Sequence, residues 1–140
     1  MANTAGVCTS FKAEILTKVH NLNADSYKMA LYQTTANLAP STFTAYSATN
    51  EVSSSNYTAG GLAVTNGTVA TSGAVAYWTP TANLSWTTVT FTTDCAAMYN
   101  TSASNKAVAL FTFGAQSITA GNFSLTMPTN DSVNGLIRLS

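Results

Sequence analysis

From Trp86 to Thr92 the chain reads Trp-Thr-Thr-Val-Thr-Phe-Thr, with Val89 and Phe91 interleaved with Thr88, Thr90 and Thr92. An apolar residue at every second position puts one row on one face of a β-strand and the threonines on the other. Threonine suits the wet row, because its branched Cβ costs little in extended backbone and its hydroxyl can face water. The same period recurs at Phe123, Leu125 and Met127 between Asn122, Ser124 and Thr126, and at Tyr27, Met29 and Leu31 around Lys28 and Ala30. A chain patterned in this way is constrained to half-buried antiparallel strands.

Other stretches extend the pattern. Val64, Val69, Val75 and Tyr77 predict two strands between about Leu62 and Trp78, joined near Thr71-Ser72-Gly73. Ala107 to Phe113 is apolar on both faces, as expected of a central strand covered on each side. A last short strand holds Leu136, Ile137 and Leu139. Only one segment has a helical period. Phe11, Ile15, Val19 and Leu22 fall on one stripe and predict an amphipathic helix from about residue 10 to about residue 21. Ser10 or Thr9 is its expected N-cap, Glu14 and Lys18 its i,i+4 pair, and Asn21, Asn23 and Asp25 its stop. The stretch from Thr34 to Leu62 contains Pro40, Ser53 to Ser55 and Gly60-Gly61, and is expected to be functional or partly structured. The expected fold is mainly β. It is a single antiparallel β-sandwich domain over residues 1–140, jelly-roll or Ig-like, with one N-terminal helix and strands from about residue 26 to 139.

Charge excludes several functions. Only 7% of the 140 residues are charged, and five basic side chains balance five acidic ones. With no basic patch to neutralise phosphates, nucleic-acid binding is not expected. Apolar runs fall short of the ~18 residues that a spanning helix needs, so no membrane partner is expected. The 24 threonines, 15 serines and 13 asparagines supply a neutral polar surface with little charge repulsion between copies, which favours close packing in an assembly. The first residues carry no basic segment followed by an apolar one, so the expectation is a cytoplasmic product. Reduced thiols are then the expected state of Cys8 and Cys95, with a disulfide between them as the alternative.

No catalytic constellation is legible. His20, the one histidine, has no nucleophile elbow to serve, and its ordinary role at a helix end is to face the dipole or a backbone carbonyl. Asp25 and Asp131 sit in turn-like contexts, Asp94 ends a Thr-rich strand and Glu51 lies in the long loop, so no acid pair is apparent. One histidine and two separated cysteines do not make a zinc site, and no clustered aspartates hold calcium. Gly60-Gly61 lacks the lysine of a phosphate loop. The expectation is a protein that is not an enzyme and needs no cofactor or metal. The aromatics offer a binding reading. Trp78 and Trp86, with Tyr46, Tyr57 and Tyr99, form either an exposed platform for sugar rings or, the more ordinary role for the two tryptophans, the cap of a sandwich core. Tyr57 beside Gly60-Gly61 has the makings of a flat contact on a partner.

The segment Ser10-Phe-Lys-Ala-Glu-Ile-Leu-Thr-Lys-Val-His-Asn-Leu22 resembles the opening helix of a family of small structural proteins in the virions of tailed bacteriophages. The resemblance continues through Ser26-Tyr-Lys-Met-Ala-Leu-Tyr32, Thr44-Ala-Tyr-Ser-Ala-Thr-Asn-Glu-Val52 and Tyr57-Thr-Ala-Gly-Gly61. It resumes at Met98-Tyr-Asn100 and at Asn105-Lys-Ala-Val-Ala-Leu-Phe-Thr-Phe-Gly114, whereas Cys95-Ala96-Ala97 departs from the bulkier or more polar family pattern. It implies a virion component, foremost a capsid decoration or cement protein that binds the major capsid protein at subunit junctions and clusters as a homotrimer. On that reading the contact residues are Phe11, Ile15 and Val19 of the helix and Tyr46, Tyr57, Gly60 and Gly61 of the loop. Closure of one sandwich end is an equal alternative role for the helix. The other implied role is a tail, neck or head-fibre component that reads host glycans through Trp78 and Trp86.

Overall fold

The computed structural model describes residues 2–140. In chain order its elements are β1 (Gly6–Val7), α1 (Thr9–Leu16), β2 (Tyr27–Tyr32), β3 (Leu62–Ala63), β4 (Ala70–Ser72), β5 (Val75–Trp78), β6 (Leu84–Asn100), a 3-10 turn (Thr101–Ala103), β7 (Lys106–Leu125) and β8 (Ile137–Leu139). The protein is mainly β, as its period-two stretches predict, with a five-stranded sheet ordered β1-β7-β6-β2-β3 and a three-stranded sheet ordered β4-β5-β8. Every pairing is antiparallel.

The hairpin of β6 and β7, 17 and 20 residues long, organises the molecule. At its closed end the Asn100 side chain accepts from Ser102 N–H (2.9 Å), and Ser104 and Asn105 take left-handed backbone to complete the reversal. Next to this turn, Cys95–Asn100 pair with β2 on one side and β7 on the other. Ala96, Ala97, Met98, Ala107, Val108, Ala109 and Leu110 are fully buried there, so the apolar run from Ala107 begins as a covered central strand between β1 and β6. Farther out, Leu84–Thr93 and Gln116–Leu125 continue as a two-stranded ribbon. Leu84, Trp86, Val89 and Phe91 are buried, and Ser85, Thr87, Thr88, Thr90 and Thr92 face water. Register shifts interrupt this ribbon, and Thr88, Gly114 and Ala120 hold positive φ (52°, 74° and 47°). Such bulges bend a ribbon sharply. Leu125 and Met127 thereby return to Phe111 and Met29 around an apolar cavity of about 180 Å³.

In the smaller sheet, Gly73-Ala74 form a two-residue turn between β4 and β5, with Gly73 at φ 57° as such tight hairpins require. Buried residues of both sheets and of α1 form one hydrophobic cluster.

The helix is shorter than its stripe predicts. Cys8, not Ser10 or Thr9, occupies the N-cap position and makes no side-chain cap, while Lys18 turns left-handed (φ 63°) and ends the helix after Leu16. Val19 and Leu22 keep the apolar spacing but lie in irregular chain. The Glu14–Lys18 pair does not form among the described residues. Instead, the Glu14 carboxylate takes His20 Nε2 at 2.6 Å and Lys106 Nζ at 3.2 Å.

Candidate functional site

The long segment between β2 and β3 is built around Glu51, a buried carboxylate without a cationic partner among the described residues. It accepts hydrogen bonds from the Tyr46 hydroxyl (2.7 Å), the Tyr57 hydroxyl (2.6 Å) and the Gly60 N–H (2.7 Å). The Tyr57 oxygen in turn accepts from Leu31 N–H of β2 (2.9 Å), and the Tyr99 hydroxyl of β6 donates to Gly60 O (2.6 Å). Tyr46 stacks on Tyr99 with ring centroids 4.7 Å apart. Beside them Gly61 (φ 78°) passes so close to β2 that a Cβ there would lie 1.9 Å from Met29 O. Burial, reinforced by the hydrogen bonds to Glu51, pushes the Tyr46 and Tyr57 phenols well above their usual range. Each phenol is therefore a fixed donor.

The structure thus gathers Tyr46, Tyr57, Gly60 and Gly61, all singled out from sequence, but as an internal clamp. Tyr57, Gly60 and Gly61 are buried and do not form an exposed contact. Glycine serves here for close backbone approach, not for flexibility toward a partner. Glu51, which joins these residues, carries no local signal, since a carboxylate inside a polar loop reads as solvated.

The helix residues divide similarly. Phe11 is fully buried and packs on the His20 ring (4.8 Å between centroids), so it closes the core. Ile15 and Val19 are half-buried and line a groove of about 530 Å³ with Leu22, Val69, Ile137 and Leu139. The groove separates the helix end from the smaller sheet. Of its lining residues Val69 is 39% exposed and Leu139 43%, and Leu16 at the end of α1 is 86% exposed. Leu16 falls off the predicted apolar stripe, and sequence periodicity therefore passes over the most exposed large apolar residue among the described residues.

Trp78 and Trp86 are 1% and 3% exposed and do not make a glycan platform. Trp78 donates its indole N–H to Gly67 O (3.2 Å) and packs near Tyr27, while Trp86 lies between Tyr57 and Phe123. Both serve the core. His20 does not face a helix dipole or a backbone carbonyl. Its Nε2 meets Glu14, and its Nδ1 meets the Asn100 amide nitrogen at 3.0 Å, which also donates to Asp25 (2.8 Å). With Asn100 Nδ2 donating, Nδ1 is the acceptor and Nε2–H points at Glu14. Both ring nitrogens are thus engaged. Cys8 and Cys95 are buried free thiols, which burial pushes up to about 11 and about 12. Among the described residues no three His, Cys, Asp or Glu side chains gather at metal-binding range, and no helix is long and apolar enough to cross a membrane. Comparison with protein-family models, curated proteins and solved structures finds nothing that matches the chain.

Proposed function

We propose that the protein is a structural virion component, a capsid decoration protein that binds the major capsid protein and stabilises the shell by burying surface across a subunit junction. The observation that carries this reading is the apolar groove between α1 and the smaller sheet, lined by exposed Val69 and Leu139 together with half-buried Ile15, Val19 and Leu22. Exposed apolar side chains grouped around a concavity, with polar neighbours such as Lys18 and Asp25, have the make-up of a contact patch. Ile15, Val19 and Leu22 belong to the segment Ser10–Leu22 that resembles the opening helix of the phage family, which ties the groove to that resemblance. The occupant is an apolar segment of the shell protein.

The test is co-sedimentation of the purified protein with shells assembled from the major capsid protein of the same virion. Saturable binding that is lost in Leu139→Asp, with the circular dichroism spectrum unchanged, supports the reading. Failure of the unaltered protein to bind shells overturns it, and binding to isolated tails or necks instead would move the protein to that part of the particle.

A further inference from the structure

The distal ribbon of β6 and β7 has two outer edges, and the protein treats them differently. Along β6 the edge is capped by the neighbouring loop: Thr90 N–H donates to Ser54 Oγ (3.0 Å), and Asn56 Nδ2 donates to Thr88 O (2.9 Å). Along β7, β1 covers only Ala109 and Leu110. From Gly114 to Thr119, among the described residues, no group from elsewhere in the chain hydrogen-bonds the outer edge. Gly114, Ala115, Gln116, Ser117, Thr119 and Ala120 are exposed. Gln116, Ser117 and Ile118 pair in unbroken register with Thr93, Thr92 and Phe91, and bulges bound this regular stretch on either side. No charged residue and no proline occurs from Ala107 to Met127. Monomeric β proteins guard such edges with lysine, proline or a covering segment, because the free N–H and C=O groups template another strand.

We propose that this edge of β7, between Gly114 and Ala120, pairs antiparallel with the same edge of a second copy across a two-fold axis. Two ribbons thereby join in one four-stranded sheet. Self-pairing sets a strand against its own residue types, and like charges placed opposite each other oppose it. This edge has no charge to oppose. Its Ser and Thr side chains suit hydroxyl pairing across strands, which the protein already uses within the ribbon at Ser85–Ser124 (2.6 Å) and Thr92–Ser117 (3.0 Å), and the Gln116 amide can both donate and accept. The flanking bulges confine pairing to one short window, and the two-fold pairing uses this edge in both copies and leaves outermost only the loop-capped edges of β6, which stops the sheet at two copies. The assignment is independent of the capsid reading.

Analytical ultracentrifugation of the purified protein tests it. The unaltered chain is expected to form a dimer, Ser117→Lys and Ser117→Glu each to be monomeric, and an equimolar mixture of the two variants to dimerise again. A chain that stays monomeric up to its solubility limit, an oligomer that survives Ser117→Lys, or a mixture that remains monomeric overturns the proposal. Hydrogen exchange on the unaltered protein tests it without any variant. Amides within residues 114–119 should gain protection as concentration rises, and equal exchange at low and high concentration counts against the edge.

Discussion

The rings of Phe113 and Phe123 lie 5.5 Å apart, centroid to centroid, although both belong to β7 and ten residues separate them. An undistorted strand would place them about 33 Å apart. They meet because the β6–β7 ribbon doubles over at its bulges, which also brings Phe91 within 6.0 Å of Phe123. One hairpin therefore supplies two facing layers of the core, and the backbone at Gly114 and Ala120 sets the bend.

That backbone makes opposite demands at the two positions. Ala120 holds φ 47° without being glycine, which costs roughly 1–2 kcal/mol, against about 0.5–1 kcal/mol of extra chain entropy lost by a glycine. Ala120→Gly is expected to stabilise the protein by about 0.5 kcal/mol. Gly114→Ala should cost about 1 kcal/mol, all of it conformational, because nothing lies within 4 Å of the added Cβ. Gly61→Ala should cost at least about 3 kcal/mol, since its Cβ would collide with Met29 O and with Ala30 Cα at 2.7 Å. Urea denaturation of the three variants checks the order. A Gly114→Ala loss that exceeded the Gly61→Ala loss would show that the bend, not the close approach to β2, is the tighter constraint.

The clamp on the long loop depends on one carboxylate. Glu51→Ala leaves the Tyr57 hydroxyl and the Gly60 N–H buried without their acceptor, and should cost about 3–5 kcal/mol. Tyr57→Phe removes both the donation to Glu51 and the acceptor for Leu31 N–H, for about 2 kcal/mol. Because the residues touch, a double-mutant cycle of Glu51→Gln with Tyr57→Phe should show coupling of about 1 kcal/mol. Additive losses would mean that the two residues act separately.

What the sequence announced follows from how locally each feature is encoded. Strands with one wet face declare themselves, as at Thr88–Thr92 and Phe123–Leu125, because burial alternates residue by residue. The turn of the β4–β5 hairpin is legible for the same reason, since Gly73 supplies left-handed backbone on the spot. The helix boundary is not, because the stripe Phe11, Ile15, Val19, Leu22 persists beyond Leu16 where the backbone has already reversed at Lys18. The full length of β6 is hidden too, since Cys95 to Asn100 are buried on both faces and show no alternation. The Glu51 clamp and the return of Phe123 to Phe113 depend on partners that only the folded chain brings together. Trp78 and Trp86 take the core role that is the more ordinary one for tryptophans flanking a turn, whereas Tyr57, whose place beside Gly60-Gly61 suggests an exposed contact, is folded inward onto Glu51.

Asn100 is a second such hub, at the closed end of the main hairpin. It is fully buried and bonds Asp25, His20 and Ser102 N–H together. Asn100→Ala is expected to cost about 3 kcal/mol by leaving these groups unpaired. Asn100→Asp, though nearly isosteric, should cost more at neutral pH, because a carboxylate cannot donate to Asp25 and repels it. Thermal unfolding of the two variants compares them. An Asp variant as stable as the native protein would remove Asn100 from this role.

Stability should fall steeply on the alkaline side. Burial pushes Tyr99 from its ordinary 10.0 up to about 12, Cys8 from 9.0 up to about 11 and Cys95 from 9.0 up to about 12, and lifts Tyr27, Tyr32, Tyr46 and Tyr57 well above 10.0 as well. Above about pH 9 the unfolded chain begins to release protons that the folded chain retains, so the unfolded state binds fewer protons and the free energy of unfolding falls as pH rises. The contribution of these groups is present below pH 9, and that of Cys8, Cys95 and Tyr99 disappears as pH climbs through 11 and 12. The melting temperature is expected to be level up to pH 9 and to drop continuously beyond it. Phenolate absorbance should appear together with unfolding, because the buried hydroxyls cannot ionise in place. Ionisation of these tyrosines at an ordinary midpoint in a chain that remains folded would show that water reaches them, and the Glu51 clamp would then be open in solution.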